Sequence, residues 1–370
     1  MRKKDQKHYH NLLQISIIFF VLLFGINPLQ AAEVEPDTET EGPTEFIFHH
    51  VADAYDWHFT TIGHTHVTLP LPVILYSEDR GLEVFMSSNF LDEDHNYVPY
   101  KGYMLLDDGS HLVSVEEGRT FYDFSITKNV AAMILSVIVM LIIFPAVASS
   151  YKKHPKSAPS GLQSFIEPVV VFIRDEVAIP AIGERKYKKF MPFLLTVFFF
   201  ILVNNLLGLL PGAANVTGNI SITLTLAFLT FIITQFSGNK YYWQHVFNTP
   251  GVPAWLLPIM IPVEIIGLFT KPFSLMVRLF ANITAGHIII LSIIGLVFIF
   301  ESLAVGVVSV LFATVMNFLE LLVAFLQAFV FTLLSAIYFG GAVEEHHHEE
   351  GKVLEGEHDR APLQSDSAMV

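Results

Sequence analysis

Phe190 to Asn239 reads FMPFLLTVFFFILVNNLLGLLPGAANVTGNISITLTLAFLTFIITQFSGN, 50 consecutive residues without an acid, a base or a histidine. A helix rises ~1.5 Å per residue and the hydrocarbon layer is ~30 Å thick, so the run exceeds one crossing. Pro211-Gly212 and the cluster Asn215, Gly218 and Asn219 interrupt its middle with turn-forming residues. Two membrane spans folded back on one another are therefore expected.

The rest of the chain suits the same solvent. Hydrophobic residues make up 52% of the 370 positions and charged residues 15%, too apolar a balance for an ordinary soluble chain. Upstream, no charge falls between Lys128 and Lys152, and Asn129 to Ser149 suffices for one crossing. Leu162, Phe165, Ile166, Val169, Val170, Ile173 and Val177 then recur at three- and four-residue intervals, with Gln163, Glu167 and Arg174 on the other side. That is the pattern of an amphipathic helix on a membrane surface. Downstream lie two long apolar segments, about Leu256 to Phe298, punctuated by Pro258, Pro262, Gly267 and Pro272, and about Leu303 to Phe339. Each outruns one bilayer thickness, which demands tilt, a kink or a partly horizontal path.

Arg2, Lys3, Lys4 and Lys7, an apolar run from about Asn11 to Ile26, then Pro28, Ala31 and Ala32 make residues 1–32 read as a cleaved signal peptide. The alternative is an uncleaved anchor helix. Residues 33–125 form an acidic periplasmic extension with 19 acids against three bases, opening with a linker from Glu33 to Pro43. Within it, Tyr103 to Leu106 and His111 to Val115 flank Asp107-Asp108-Gly109-Ser110, the turn chemistry of a hairpin. Residues 126–342 are the membrane domain and 343–370 an acidic cytoplasmic tail. Ser150 to Lys189 holds eight Lys/Arg and four Asp/Glu, which the positive-inside rule assigns to the cytoplasm. The expected fold is an all-α integral membrane protein with about five crossing helices, the last two long, tilted and packed together. One interfacial amphipathic helix and a small β-rich N-terminal extension complete it.

The net charge of −14 arises in the extension and the tail, so a nucleic-acid partner is not expected. The absence of cysteine excludes disulfides and thiolate metal sites. More telling are Glu264, Lys271, Arg278, His287, Glu301 and Glu320, set among Leu, Ile, Val and Phe in the last two segments. An Arg at mid-bilayer costs about 2.5–3.5 kcal/mol on insertion scales, and such residues ordinarily mark an ion pathway. Glu264, Lys271 and Arg278 are spaced by sevens, and seven steps of 100° nearly close two turns, so they share a stripe. Glu320 and Gln327 form a second stripe. His287, nine residues beyond Arg278, points the opposite way on an ideal helix. Glu264 and Lys271 have the plainer alternative of snorkelling at a membrane surface, His287 and Glu320 that of a buried hydrogen-bonded pair, and Glu301 that of capping the turn. A guanidinium cannot relay protons, so Arg278 must act electrostatically.

The run Pro272 to His287, PFSLMVRLFANITAGH, strongly resembles the signature of subunit a of F-type ATP synthases. Asn205 to Pro211, the Asn215 to Thr223 turn, Phe165 to Pro168 with Arg174-Asp175-Glu176, and Glu320 to Phe331 support it, covering about Ile126 to Ala342. The resemblance implies a proton-channel stator whose Arg278 faces a rotating ring of c subunits, each with a mid-membrane carboxylate, between two offset half-channels. It further implies that His287 and Glu320 line the external half-channel, that Asn282 and Gln327 flank Arg278, and that Glu264, Lys271 and Ser274 belong to the proton path. The implied partners are the c ring, a b-subunit peripheral stalk, the F1 sector indirectly, and lipid. Neither cofactor nor metal is implied. The implied location is the bacterial inner membrane, with the mature N-terminus periplasmic and the C-terminus cytoplasmic. Many bacterial members carry an acid at the His287 position and a histidine at the Glu320 position, so this chain has the pair exchanged. Histidine and carboxylate both trade protons near neutral pH, which keeps the relay intact. No Walker-type loop occurs, so the chain is not an enzyme on its own and ATP chemistry belongs to partners.

Two rivals differ in class. A secondary ion or solute transporter also sets charges in broken helices, but it usually shows internal repeats, and none occurs here. A metal-binding receptor would use His49, His50, His58, His64 and His66, or His346 to His348, clusters without fixed ligand geometry.

Overall fold

The computed structural model describes residues 53–62, 65–92, 97–106, 109–116, 119–153, 158–210, 214–248, 252–300 and 302–344. The signal peptide, the linker, Pro211-Gly212, Glu301, most of the acidic tail and the histidines at 49–50, 64 and 346–348 lie outside them.

Alternating apolar residues build the extension. β1 (Asp56–Ile62) pairs antiparallel with β2 (Thr65–Pro70). β3 (Pro72–Ser77) lies between β4 (Gly81–Met86) and β7 (Phe121–Asp123), giving the order β4-β3-β7. β5 (Tyr103–Leu105) and β6 (Leu112–Ser114) form the hairpin expected around Gly109. Val73, Leu75, Phe85, Phe90, Tyr103 and Leu105 fill a small core between them.

The extension joins the membrane domain without a linker. The Asp53 carboxylate accepts the Asn129 backbone N–H at 3.0 Å and the Thr127 hydroxyl at 2.8 Å, capping α1 (Lys128–Lys153) from a distant residue. An acceptor there satisfies an orphan donor and suits the positive end of the helix. Trp57 and Leu71 meanwhile enter the hydrophobic core of the membrane helices.

Among the described residues, five helices are long and apolar enough to cross a bilayer. The first is α1, which ends in Lys152 and Lys153. The amphipathic segment follows as α2 (Leu162–Phe172), a π-helical stretch (Ile173–Ala178) and α3 (Ile179–Ile182). It buries Ile166, Ile173 and Val177, yet one expectation, a solvated Gln163, fails in detail. Gln163 is buried and its carbonyl oxygen accepts the Ser150 hydroxyl at 2.9 Å, while Leu162 and Phe165 stay exposed. In hydrocarbon an apolar face can point outward and a polar group must find an internal partner.

The uncharged run of 50 residues folds back as expected, into α4 (Tyr187–Gly208) and α5 (Ile220–Ser237). Asn215 and Asn219 punctuate the turn: their side-chain oxygens accept the backbone N–H of Gly218 and Ser221. A short helix, α6 (Lys240–Phe247), precedes α7 (Leu257–Phe300) and α8 (Leu303–Val343). At 44 and 41 residues these last two measure ~66 and ~62 Å at 1.5 Å per residue, twice the hydrocarbon thickness. α7 remains one helix through Pro262 and Pro272. Phenylalanines pack α8 on α4, with the Phe190 and Phe339 rings stacked 4.9 Å apart. A Cβ on Gly340 would run into the Ala181 carbonyl oxygen, so α8 touches α3 backbone to backbone.

Candidate functional site, a polar seam between two long helices

α7 and α8 run antiparallel, and their facing sides carry polar residues in register. Lys271 and Asn282 are eleven residues apart, as are Gln327 and Tyr338; eleven steps close about three turns, so each pair shares a face. Asn282 Nδ2 donates to Gln327 Oε1 at 3.0 Å. Toward the far end of α7, His287 Nε2 stands 3.6 Å from Glu320 Oε1. In the other direction, Lys271 Nζ sits over the Tyr338 ring, 5.8 Å from its centre.

The His287–Glu320 end is closed in by two other elements. Glu320 is buried at 5% exposure, and a Cβ on Gly286 would lie 2.9 Å from its Oε1. Glycine there lets the carboxyl group lie against the α7 backbone. The end of α4 approaches from the other side, with the Cβ direction of Gly208 4.0 Å from His287 Nε2. Asn205 donates to the Ala324 carbonyl at 3.2 Å and accepts the Thr217 hydroxyl at 2.7 Å, tying α4 and the α4–α5 turn to α8. Asn204 Oδ1, Asn215 Nδ2, Thr284 Oγ1 and Glu320 Oε1 are buried without a hydrogen-bond partner among the described residues.

The opposite end gathers different chemistry. Lys271 and Tyr338 line a pocket with Thr230, Thr234, Gln235 and Tyr242, from α5 and α6. Thr230 Oγ1 and Ser335 Oγ lie 3.4 Å apart beside it. Burial pushes the Tyr242 phenol up, and the nearby Glu264 carboxylate adds to that shift.

Arg278 lies between the two ends. It is the 22nd of the 44 residues of α7 and exposed, as is Ser274 one turn away. Leu275, Met276 and Leu279 on the same helix are buried. No carboxylate among the described residues lies within ion-pair distance of Arg278. Of the eight residues expected from the sequence, His287 meets Glu320, Asn282 meets Gln327, Lys271 lies against Tyr338, Glu264 is two turns from Lys271 on α7, and Arg278 and Ser274 are exposed. Unanticipated in the site are Asn205, Thr217, Tyr242 and Tyr338. Tyr338 had a signal: it lies eighteen residues, five full turns, from Glu320. Tyr242 had none, because it sits on a short helix outside the apolar runs.

Comparison with known proteins gives one reading for this domain. The family model of the ATP synthase A chain matches residues 130–340. ATP synthase subunit a of Chloroherpeton thalassium is 49% identical over 244 residues, 64% of this chain and 72% of that protein. ATP synthase subunit a 2 of Chlorobaculum tepidum is 52% identical over 241 residues, covering 63% and 68%, and subunit a of Chlorobium phaeobacteroides BS1 is 51% identical over 238 residues, covering 62% and 70%. Residues 46–134 match a separate family, a domain of unknown function (DUF8433). The chain belongs to the ATP synthase A chain family.

Proposed function

We propose that this chain is the stator in which proton flow turns the rotor of the ATP synthase, and that Arg278 is the residue the rotor passes. The coarser part follows from the family: a multi-pass subunit of the membrane sector of a bacterial ATP synthase. One observation carries the finer part. A permanent cation stands exposed halfway along a bilayer-crossing helix, with no acid among the described residues to pair with. Stranding it in lipid is costly, so its counter-charge belongs to another subunit.

A carboxylate brought within ~4–6 Å of a fixed positive charge has its pKa lowered by about 1–3 units. A ring carboxylate reaching Arg278 therefore releases its proton, and Arg278 repels any proton moving straight across. Ser274 keeps the approach narrow. Protons enter past Glu320 and His287, where the buried Asn204, Asn215 and Thr284 atoms offer sites for water. They leave along Lys271, Tyr338, Tyr242 and Glu264 at the other end. Asn282 and Gln327 bridge α7 and α8 between the ends. With the basic stretch Ser150 to Lys189 cytoplasmic, the His287 end faces the periplasm. The mature N-terminus is then periplasmic and the C-terminus cytoplasmic. The c ring covers the Arg278 face, and the b stalk and F1 hold the chain still. Each proton crossing 100 mV releases about 2.3 kcal/mol, which biases the rotation.

The test is ATP synthesis in energised membranes. Arg278→Ala abolishes it while the assembled complex persists; synthesis at the wild-type rate overturns the assignment. Because the chain has no cysteine, a single Ser274→Cys also tests the partner by disulfide formation with a cysteine beside the ring carboxylate.

A further inference from the structure

The outer face of the sheet β4-β3-β7 is apolar. Val73, Leu75 and Phe85 point inward and are buried, while Tyr76, Leu82, Val84, Met86, Tyr122 and Phe124 remain 42–66% exposed on the other side. The register joins them into one plaque. Tyr76 pairs with Leu82 on one edge and Tyr122 on the other, and the Phe124 N–H donates to Ile74, the partner of Val84. An antiparallel sheet with one solvated face alternates apolar and polar residues. This one does not, although its segment holds 19 acids. A charge-free plaque in so acidic a segment marks a covered surface.

Its attachment indicates what covers it. β7 ends at Asp123 and α1 begins at Lys128, and the intervening residues span at most about 14–18 Å. Backbone hydrogen bonds from Phe124 to Ile74, Ile126 to Pro72 and Lys128 to Ala54 hold the sheet against the first turn of that helix. The plaque is thus fixed beside the first turn of α1, where Trp57 and Leu71 of the same extension pack into the core of the membrane helices. Tyr is a residue of the membrane–water interface. Arg80, Lys101 and Arg119 are ion-paired with Glu116, Glu83 and Asp79, so the extension has no basic patch to draw anionic headgroups.

We propose that this sheet face rests on the bilayer, seating its tyrosines and aliphatic side chains in the headgroup region of the leaflet at the first turn of α1, independently of lipid charge. The inference needs only that α1 crosses the membrane, so it stands or falls separately from the role of Arg278.

The cysteine-free chain permits a direct test on the assembled complex in nanodiscs of phosphatidylcholine, with and without phosphatidylglycerol. Nitroxides are attached at Val84→Cys and Tyr122→Cys, with Leu82→Cys as a second probe should either fail to fold, and Glu78→Cys at the sheet's turn as a solvated control. Expected at the face positions is several-fold greater collision with oxygen than with a water-soluble nickel chelate, the reverse at Glu78→Cys, and the same result in both lipids. Nickel accessibility equal to that of Glu78→Cys means a solvated face and overturns the proposal. So does shielding from both reagents, which signifies a protein partner, or protection that appears only with the anionic lipid.

Discussion

α4 and α7 are both long, apolar and membrane-crossing, but the chain treats them in opposite ways. Half of the most apolar stretch of α4 is buried within the chain, against 11% for α7. α4 has no charge between Phe190 and Gly208, whereas Glu264, Lys271 and Arg278 all lie on α7. A buried charge ordinarily accompanies burial by the same chain, because the protein must supply what water no longer does. Here the helix that carries the charges is the one its own chain covers least. That inversion is intelligible if part of the covering comes from another subunit, and it distinguishes a structural helix from a working one.

Interchanging the two roles should have the largest effect. Leu194 is fully buried at the centre of the α4 packing, so Leu194→Arg strands a guanidinium without a partner. The complex is expected not to assemble, which blue-native electrophoresis of detergent extracts reads as a missing band. Arg278→Ala, by contrast, assembles normally and synthesises no ATP. Equal assembly defects in both variants would erase the contrast between the helices.

Next in size is the closed end of the seam. Glu320→Gln keeps the volume of the side chain but removes its proton exchange, and a positioned proton-transfer group is worth on the order of 10²-fold or more when no other group substitutes. His287 is in reach to substitute in part, so ATP-driven proton pumping in inverted vesicles is expected to fall about tenfold, within that bound. Gly286→Ala should fall less, about threefold, since a methyl group 2.9 Å from Glu320 Oε1 shifts the carboxyl group without removing it. If Gly286→Ala pumps at the full rate, the close approach has no role.

Much of this was legible in the sequence, for reasons specific to hydrocarbon as a solvent. The 50-residue uncharged run and its Asn215–Asn219 turn fixed α4 and α5, because in lipid neither charge nor open backbone is tolerated. The stripe spacing likewise put Glu320 and Gln327 on one face of α8, and both are buried. Periodicity failed where solvent polarity did not decide the outward face. Gln163, set on the polar side of the amphipathic helix, is buried. Contacts between distant elements were also invisible. Nothing in the local pattern brings Asn205 to the Ala324 carbonyl or Tyr242 into the pocket of Lys271 and Tyr338, since both depend on how separate helices cross.

The smallest expected effect concerns the hydrogen bond that α7 and α8 share in the middle of the seam. Asn282 and Gln327 are 3.0 Å apart, and interhelical hydrogen bonds in membranes are worth ~0.6 kcal/mol on average. A double-mutant cycle of Asn282→Leu and Gln327→Leu, read by unfolding in mixed detergent, should therefore give a coupling of about that size. Proton pumping should fall further than so weak a bond explains, because either leucine also places an apolar side chain next to the outward face that Arg278 presents. A larger coupling with unchanged pumping would make the pair a helix clamp and move the working surface of α7 wholly onto Arg278 and Ser274.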